Sequence, residues 1–176
     1  MQPDWPAEVH RVLKDAGVRI VGYVPDAGHK RLIELCQADA GMRAVALSTE
    51  EEGIGLAAGA WLGGEKTVLL MQSSGVGNII NVLGMVTVCR LPLVLLVTMR
   101  GEYGEFNTWQ VPMGENSARL LETMRISVRQ AGEAATVAAH VRAALKLAFE
   151  AEGAEAVLIA QRVIGIKSFR EEADAA

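Results

Sequence analysis

Aromatic side chains are scarce in this chain. They make up 5% of its 176 residues, so large rings cannot fill most of the interior. Hydrophobic residues nevertheless account for 51% of the sequence, and most of these are Ala, Val, Leu, Ile and Met. That composition suits a sheet that helices cover on both faces. The formal net charge is −4, so acidic residues outnumber basic ones. The charge argues against a general nucleic-acid-binding surface.

Cysteines, long apolar runs and a secretory signal are also rare or absent. Cys36 and Cys89 are the two cysteines, without CxxC spacing, and we expect both to be reduced thiols in the core of a cytoplasmic protein with no metal site. The longest apolar run, residues 91–97, is too short to span a membrane. Residues 1–5 lack the basic and apolar regions of a signal peptide.

Helical periodicity and short β-branched or apolar runs alternate along the chain. The predicted strands cover residues 18–24, 43–47, 67–71, 91–98, 126–129 and 156–163. The predicted helices cover residues 6–16, 29–38, 50–63, 78–89, 117–124 and 133–151. This alternation predicts an α/β fold with a doubly wound, mainly parallel sheet of about six strands and helices on both faces. No linker is visible, so we expect residues 1–176 to form one domain with a frayed tail after residue 167.

Four loops are candidate binding segments in such a fold. Parallel sheets bind their ligands at the carboxyl ends of the strands. The loops that fall there are residues 24–29, 48–52, 72–78 and 99–115. The last of them is long for a compact domain, which is typical of a functional loop.

Three consecutive glutamates, residues 50–52, open one predicted helix. Acidic side chains in a first turn can simply stabilise the helix dipole beside a capping hydroxyl. The run that follows, residues 53–60, consists mainly of Gly and Ala, although each interior Gly costs a helix about 1 kcal/mol. Such a helix must closely approach another group, and a carboxyl at its start is then a candidate buried acid. Both interpretations remain open at this point.

Residues 72–78, Gln-Ser-Ser-Gly-Val-Gly-Asn, follow a predicted strand. A Gly-x-Gly turn between a strand and a helix can present backbone N–H groups to an anion. A dinucleotide-binding fingerprint would need a third glycine three residues after the second, and Ile80 stands there. The segment also follows the third predicted strand rather than the first, and it has no Walker lysine. A structural turn and a ligand-binding loop remain the two alternatives.

Charged side chains in two other loops are candidate substrate contacts. Arg100 leaves the end of the most apolar predicted strand, where it could bind an anionic substrate. It could instead pair with Glu102 or Glu105 at the surface. Asp26 or His29 could transfer protons, although a histidine in a turn is often only a cap or a solvated side chain. No Ser–His–Asp or Cys–His arrangement is readable, so nucleophilic hydrolysis has no support.

Four segments occur in an order that is typical of one family. They are VPDAGHKRL at 24–32, TEEEGIGLAAGAWLGG at 49–64, MQSSGVGNIINVL at 71–83, and LPLVLLVTMRGEYGE through QVPMG at 91–114. Together they resemble the pyrimidine-binding domain of thiamine diphosphate enzymes. The likeness is to the alpha subunits of sulfopyruvate decarboxylases, and next to the N-terminal halves of phosphonopyruvate decarboxylases.

The resemblance implies a thiamine diphosphate cofactor that stores the electrons released with CO2. In the family, a glutamate that hydrogen-bonds N1′ of the aminopyrimidine lies nine residues before the Gly of an AxG segment. Counting back from Gly59 gives Glu50 as the catalytic residue. The matching positions imply cofactor contacts for Pro25, Gln72, Ser73, Ser74, Gly75 and Asn78. Positions near the substrate in the relatives correspond to Arg100, Gln110, Asp26 and His29.

The resemblance also implies a partner. Thiamine enzymes hold the diphosphate through Mg2+ bound by a Gly-Asp-Gly motif, which this sequence lacks. We therefore expect a beta subunit with the diphosphate and Mg2+ site, and an active hetero-oligomer with alpha–alpha pairing. The expected substrate is a small anionic 2-oxoacid, sulfopyruvate before phosphonopyruvate, although Met99 stands where some relatives carry His. A noncatalytic assembly or regulatory subunit of the same fold is the alternative.

Overall fold

The computed structural model describes residues 3–165, and the tail predicted after residue 167 lies outside them. Its strands are β1 (Val18–Tyr23), β2 (Arg43–Ala46), β3 (Lys66–Gln72), β4 (Leu93–Thr98), β5 (Ser127–Ala131) and β6 (Ala154–Ile159). Its α-helices are α1 (Trp5–Asp15), α2 (Lys30–Ala38), α3 (Glu50–Leu62), α4 (Ser73–Ile79), α5 (Leu83–Cys89), α6 (Val111–Thr123), α7 (Ala134–Ala151) and α8 (Gln161–Ile164). A 3-10 helix, Thr108–Gln110, precedes α6.

The strands form one sheet in the order β2-β1-β3-β4-β6-β5, and every neighbouring pair is parallel. The prediction of an α/β fold with about six mainly parallel strands is therefore confirmed. β1, β3 and β4 are neighbours, so the loops that leave their carboxyl ends meet at one edge of the sheet. At that edge Gln72 and Thr98, the last residues of β3 and β4, are register partners.

The side chains of β3 alternate between two apolar cores, one on each face of the sheet. Val68 and Leu70 join the core built with α1, α2 and α7. Leu69 and Met71 join the core built with α3, α4, α5 and α6. Every residue of β4 is buried, as expected for a central parallel strand. Helices thus cover both faces, as the composition predicts.

The helix that follows β3 begins earlier than predicted. Ser73 opens α4 directly after the last strand residue, so the tight loop predicted at 73–77 is wrong. The glycines that suggested a turn lie inside α4. Gly75 packs against a side chain of α3 and has no room for a side chain of its own, which explains a glycine inside this helix. The helix predicted at 78–89 is in fact interrupted before α5 begins at Leu83.

Two further boundaries differ from the prediction. α6 begins at Val111 instead of residue 117, and Pro112 lies in its first turn. Backbone N–H groups there have no acceptor within the helix, so the missing N–H of proline costs no hydrogen bond. The loop after β4 is therefore shorter than the sequence suggests. β6 ends at Ile159, and the predicted strand residues 161–163 belong to α8.

The two cysteines differ in their surroundings. Cys36 is buried, and its burial raises the pKa of the thiol to about 12. Cys89 is exposed at the end of α5, so the prediction that both thiols lie in the core is wrong for this residue. The apolar pattern around Cys89 comes from the other face of the helix, where Leu83 and Val86 are buried. Within residues 3–165, no helix is long and apolar enough to cross a membrane.

Candidate active site

Glu50 is the first residue of α3 and remains 8% exposed. Its neighbours, rather than Glu50 itself, satisfy the start of the helix. Thr49 Oγ1 accepts the N–H of Glu51 at 3.4 Å. Ser48 donates both its N–H and its hydroxyl to Glu52 Oε2, at 2.8 Å each, and these bonds lower the pKa of Glu52. The capping interpretation therefore applies to the neighbouring residues, and Glu50 is left as a buried acid.

Two residues of α4 define the surroundings of the Glu50 carboxyl. Asn78 Nδ2 donates a hydrogen bond of 2.8 Å to Glu50 Oε2. Gly75 lies so close that a Cβ atom built on it would be 2.5 Å from Cδ of Glu50. None of residues 3–165 donates a hydrogen bond to Oε1. The carboxyl thus has one oxygen held by an amide and one available to a ligand.

Asp26 connects the ends of three neighbouring strands. Thr98 donates its hydroxyl to Asp26 Oδ2 at 2.6 Å, and Gln72 donates Nε2 to Asp26 Oδ1 at 3.1 Å. The N–H of Gly28 also bonds Oδ2, at 3.1 Å. Ser74 in turn donates its hydroxyl to Gln72 Oε1 at 2.9 Å. A continuous polar chain therefore runs from the β1 loop across β3 and β4 to the first turn of α4.

Ser73 and Pro25, both predicted cofactor contacts, lie in different surroundings. Ser73 is fully buried, its hydroxyl accepts the N–H of Arg100 at 3.1 Å, and its carbonyl accepts the hydroxyl of Ser117 at 3.4 Å. Ser73 thus joins α4 to the β4 loop and to α6. Pro25 lines a cavity of about 430 Å3 between the β1 loop and α2, together with Tyr23.

His29 lies in the interior rather than on the accessible edge. It is fully buried, and its Nε2 donates to the carbonyl of Leu96 at 3.0 Å. Nδ1 has no hydrogen-bond partner among the described residues, and the ring meets Trp5 edge-on at 6.4 Å. Burial lowers the pKa of His29, and the nearby Asp26 carboxylate only partly opposes this effect. The imidazole is therefore neutral near pH 7, and its role in proton transfer stays a prediction.

Arg100 forms a buried ion pair with Glu105. Arg100 Nε and Nη2 bond the two carboxylate oxygens of Glu105 at 2.6 and 2.5 Å. The two side chains are only 11% and 3% exposed, and the ring of Phe106 lies 5.8 Å from Cζ. Of the two acidic partners considered from the sequence, the pair involves Glu105 and not Glu102, and it is buried rather than superficial.

Gln161, the first residue of α8, holds the loop after β4 from the other side. Its Oε1 accepts the N–H groups of Glu102 and Tyr103 at 3.0 and 3.1 Å, and its Nε2 donates to Glu105 at 2.9 Å. The backbone N–H of Gln161 donates to Glu102 Oε2 at 2.7 Å. Gln161 is 2% exposed, so this set of bonds is shielded from water.

The 3-10 helix contributes Gln110 and an exposed ring. Gln110 is partly buried, and its Oε1 has no hydrogen-bond partner among the described residues. Its neighbour Trp109 is 83% exposed. Within residues 3–165, no group of three or more His, Cys, Asp or Glu side chains could hold a metal ion.

Sequence reasoning missed two of the residues described above. Thr98 ends the most apolar strand, and its position just before a candidate loop was a usable signal. Gln161 lies within a segment predicted as strand and contacts Glu105, 56 residues away along the chain. No local pattern marks such a contact, because it depends on the position of β6 beside β4.

The fold and the site define an α/β cofactor-binding domain with a buried acid at the start of a glycine-rich helix. Residues 7–116 match the family model described as thiamine pyrophosphate enzyme, N-terminal TPP binding domain. The chain belongs to this family.

Relatives and one solved structure refine this assignment. The chain is 41% identical over 119 residues to sulfopyruvate decarboxylase subunit alpha from Methanococcus maripaludis, covering 67% of this chain and 71% of that protein. It is 37% identical over 94 residues to phosphonopyruvate decarboxylase from Streptomyces viridochromogenes, covering 53% and 24%. A solved 2-oxoglutarate:ferredoxin oxidoreductase from Magnetococcus marinus matches with a TM-score of 0.66 at 14% identity, covering 88% and 28%. The last likeness concerns the fold.

Proposed function

We propose that this chain is the pyrimidine-binding subunit of a thiamine-diphosphate-dependent decarboxylase that converts sulfopyruvate to sulfoacetaldehyde and CO2. The observation that supports this most is the Glu50 carboxyl, which is buried and has Oε2 held by Asn78 while Oε1 remains available. Because Oε2 already accepts a hydrogen bond, a proton on this carboxyl belongs on Oε1. From there it can be donated to a ring nitrogen.

The residues around Glu50 fit an aminopyrimidine ring. The ring needs a carboxyl group at one edge and polar side chains beside it, and the lack of a side chain at Gly75 lets the Glu50 carboxyl lie against α4. The residues assigned to this end of the cofactor are Pro25, Gln72, Ser73, Ser74, Gly75 and Asn78. When bound, thiamine diphosphate supplies the electron sink for decarboxylation. The diphosphate and its Mg2+ are assigned to a beta subunit.

The substrate is assigned to the neighbouring part of the same edge. Arg100 uses Nε and Nη2 for Glu105, so its remaining Nη1 edge is the donor available to a sulfonate group. Gln110 has an amide oxygen without a partner among the described residues, which a water that bridges to a bound acid could satisfy. Asp26 shapes the site through Gln72, and we also assign His29 to the substrate side of the site.

Partner chains are part of this proposal. The Methanococcus maripaludis relative is named as a subunit alpha, which supports a second subunit for this chain. One surface supports alpha–alpha pairing. A Cβ built on Gly55 or Gly59 of α3 would meet nothing within 4 Å, and Leu62 of α3 and Val88 of α5 are 80% and 82% exposed. A second helix could approach such a face closely, which would explain two glycines that no contact with the described residues requires.

Two alternatives to this function have to be tested, a different substrate and a noncatalytic role. Phosphonopyruvate is the alternative substrate, because the Streptomyces viridochromogenes relative acts on it by name. A noncatalytic subunit of the same fold is the alternative outside enzymes, and the buried geometry of Glu50 argues against it. A cytoplasmic location completes the proposal, and the buried thiol of Cys36 is consistent with it.

The deciding experiment is to purify the chain together with a thiamine-binding beta subunit and to measure CO2 release from sulfopyruvate, phosphonopyruvate and pyruvate. We expect the highest kcat/KM for sulfopyruvate. A preference for phosphonopyruvate would select the alternative substrate. A cofactor-loaded assembly that releases CO2 from none of the three acids would select the noncatalytic alternative.

A further inference from the structure

The loop after β4, residues 99–107, encloses a carboxylate with more hydrogen-bond donors than any other in the site. Glu105 Oε1 accepts from Arg100 Nη2 and from the N–H of Asn107, at 2.5 and 3.0 Å. Glu105 Oε2 accepts from Arg100 Nε, from the N–H of Gly101 and from Gln161 Nε2, at 2.6, 3.3 and 2.9 Å. A carboxylate with five donors is fully occupied, so it is a fixed part of the loop.

Gln161 connects this carboxylate to the sheet. Its amide nitrogen donates to Glu105, while its amide oxygen accepts two backbone N–H groups of the same loop. Gln161 lies two residues after the last residue of β6, which pairs with β4 along its whole length. The Gln161 side chain therefore fixes the position of the loop relative to the sheet.

Arg100 is attached to the proposed active site, because its backbone N–H donates to Ser73 Oγ, at the start of α4, at 3.1 Å. Its pKa is raised first by the Glu105 hydrogen bonds and, after the opposing effect of burial, also by Glu105 and Asp26 charges. Asp26 belongs to the polar chain that ends at Ser74, the residue next to Ser73. Two of the three guanidinium nitrogens of Arg100 are engaged, which leaves Nη1 as one directional donor edge.

We propose that Glu105 and Gln161 are positioning residues that aim the Nη1 edge of Arg100 at the second anionic group of the 2-oxoacid. This rests on the proposed function and adds a specificity device to it. Glu105 neutralises most of the charge of Arg100, so an acid is selected by the direction of one donor edge rather than by long-range attraction. Pyruvate has no second anionic group, so it does not depend on this edge.

The test uses the assembled enzyme and steady-state kinetics with sulfopyruvate and pyruvate. We expect Gln161→Ala to raise KM for sulfopyruvate about tenfold with kcat within about twofold, and to leave KM for pyruvate unchanged, because a displaced donor weakens one contact only. Arg100→Ala should raise KM for sulfopyruvate even more and should also leave KM for pyruvate unchanged. Gln130→Ala, an exposed glutamine of β5, is the matched control and should leave both substrates unaffected.

Gln161→Glu distinguishes the role of the amide oxygen, which accepts from the loop, from that of the amide nitrogen, which donates to Glu105. Its carboxylate can still accept the loop N–H groups but places a second negative charge against Glu105. We expect a raised KM for sulfopyruvate at pH 8 that falls toward the wild-type value at lower pH, because a shared proton restores a donor between the two carboxyls. The wild-type enzyme should lack this recovery.

The outcomes separate this inference from the proposed function. If wild-type enzyme decarboxylates sulfopyruvate but Gln161→Ala changes KM equally for both acids, or lowers kcat alone, the positioning role is overturned and the proposed function stands. A KM of Gln161→Glu that is independent of pH would also overturn it. If the wild-type assembly decarboxylates neither acid, both proposals fall together.

Discussion

At the scale of single residues, Glu50 depends on two neighbours that act in different ways. Asn78 occupies Oε2 through a hydrogen bond, and Gly75 has no side chain that would overlap the carboxyl. The two adjacent acids are exposed, and Glu52 is engaged by Ser48. Three glutamates in a row therefore have distinct roles, which burial and hydrogen bonding assign.

We predict that Glu50→Gln lowers kcat of the assembled enzyme by about 100-fold or more, because an amide cannot supply the carboxyl proton. The amide oxygen can still accept from Asn78, so fold and cofactor binding should be retained. Glu51→Gln, an exposed change on the same helix, is the control and should keep wild-type activity. Near-normal turnover by Glu50→Gln would remove Glu50 from the mechanism.

At the scale of secondary structure, the site is a contact between α3 and α4. The contact places a glycine of α4 against the first side chain of α3, although propensity alone disfavours glycine in a helix. The other glycine of α4, Gly77, is exposed, and a Cβ atom built on it would lie 3.5 Å from the flexible side chain of Met113, an ordinary van der Waals contact. The two glycines therefore differ in what a methyl group would displace.

We predict opposite results for Gly75→Ala and Gly77→Ala. The first should displace the Glu50 carboxyl and abolish most turnover, because the added Cβ would overlap it. The second should keep activity and stabilise the chain by roughly 0.5–1 kcal/mol through helix propensity. Thermal unfolding and CO2 release measured on both variants test this pair. Equal activity of the two variants would show that the contact between Gly75 and Glu50 does not matter.

The loop after β4 should respond to acid through Glu105. The Arg100 hydrogen bonds hold the pKa of Glu105 at about 2, below its ordinary value of 4.5. A lowered folded-state pKa means that this stabilisation is complete above about pH 4.5 and is lost as pH falls toward 2. Hydrogen-exchange protection of the Gly101 and Asn107 amides, corrected for intrinsic rates, should decline only in that interval. Glu105→Gln should show no such decline, and the same decline in that variant would contradict the assignment.

At the scale of the whole molecule, the sheet order brings the β1, β3 and β4 loops to one edge and leaves a glycine-bearing face of α3 exposed. The first feature brings the residues of the proposed cofactor site together. The second is a surface that another helix can approach. In the proposed function, other chains complete the site.

We predict that the purified chain alone binds thiamine diphosphate with Mg2+ negligibly, because its sequence has no Gly-Asp-Gly motif for the metal and diphosphate. Isothermal titration calorimetry of the chain alone, and of the chain with a beta subunit, checks this. We expect binding in the second case only. Tight binding by the chain alone would contradict the division of the cofactor between two subunits.

The sequence by itself determined the fold class, the family and the position of Glu50. Alternating periodicities specify strands and helices locally, and the resemblance to the family implies, by counting back from Gly59, which of the three glutamates is the catalytic one. The start of α4 was missed because glycine is a turn signal unless a neighbour requires its small size.

Only the tertiary structure decided the strand order, the burial of Glu50 against Gly75, and the contact between Gln161 and Glu105. These features join residues that lie 25 or more positions apart. Such contacts depend on how crossovers place whole strands beside one another, and local sequence patterns carry no information about that placement.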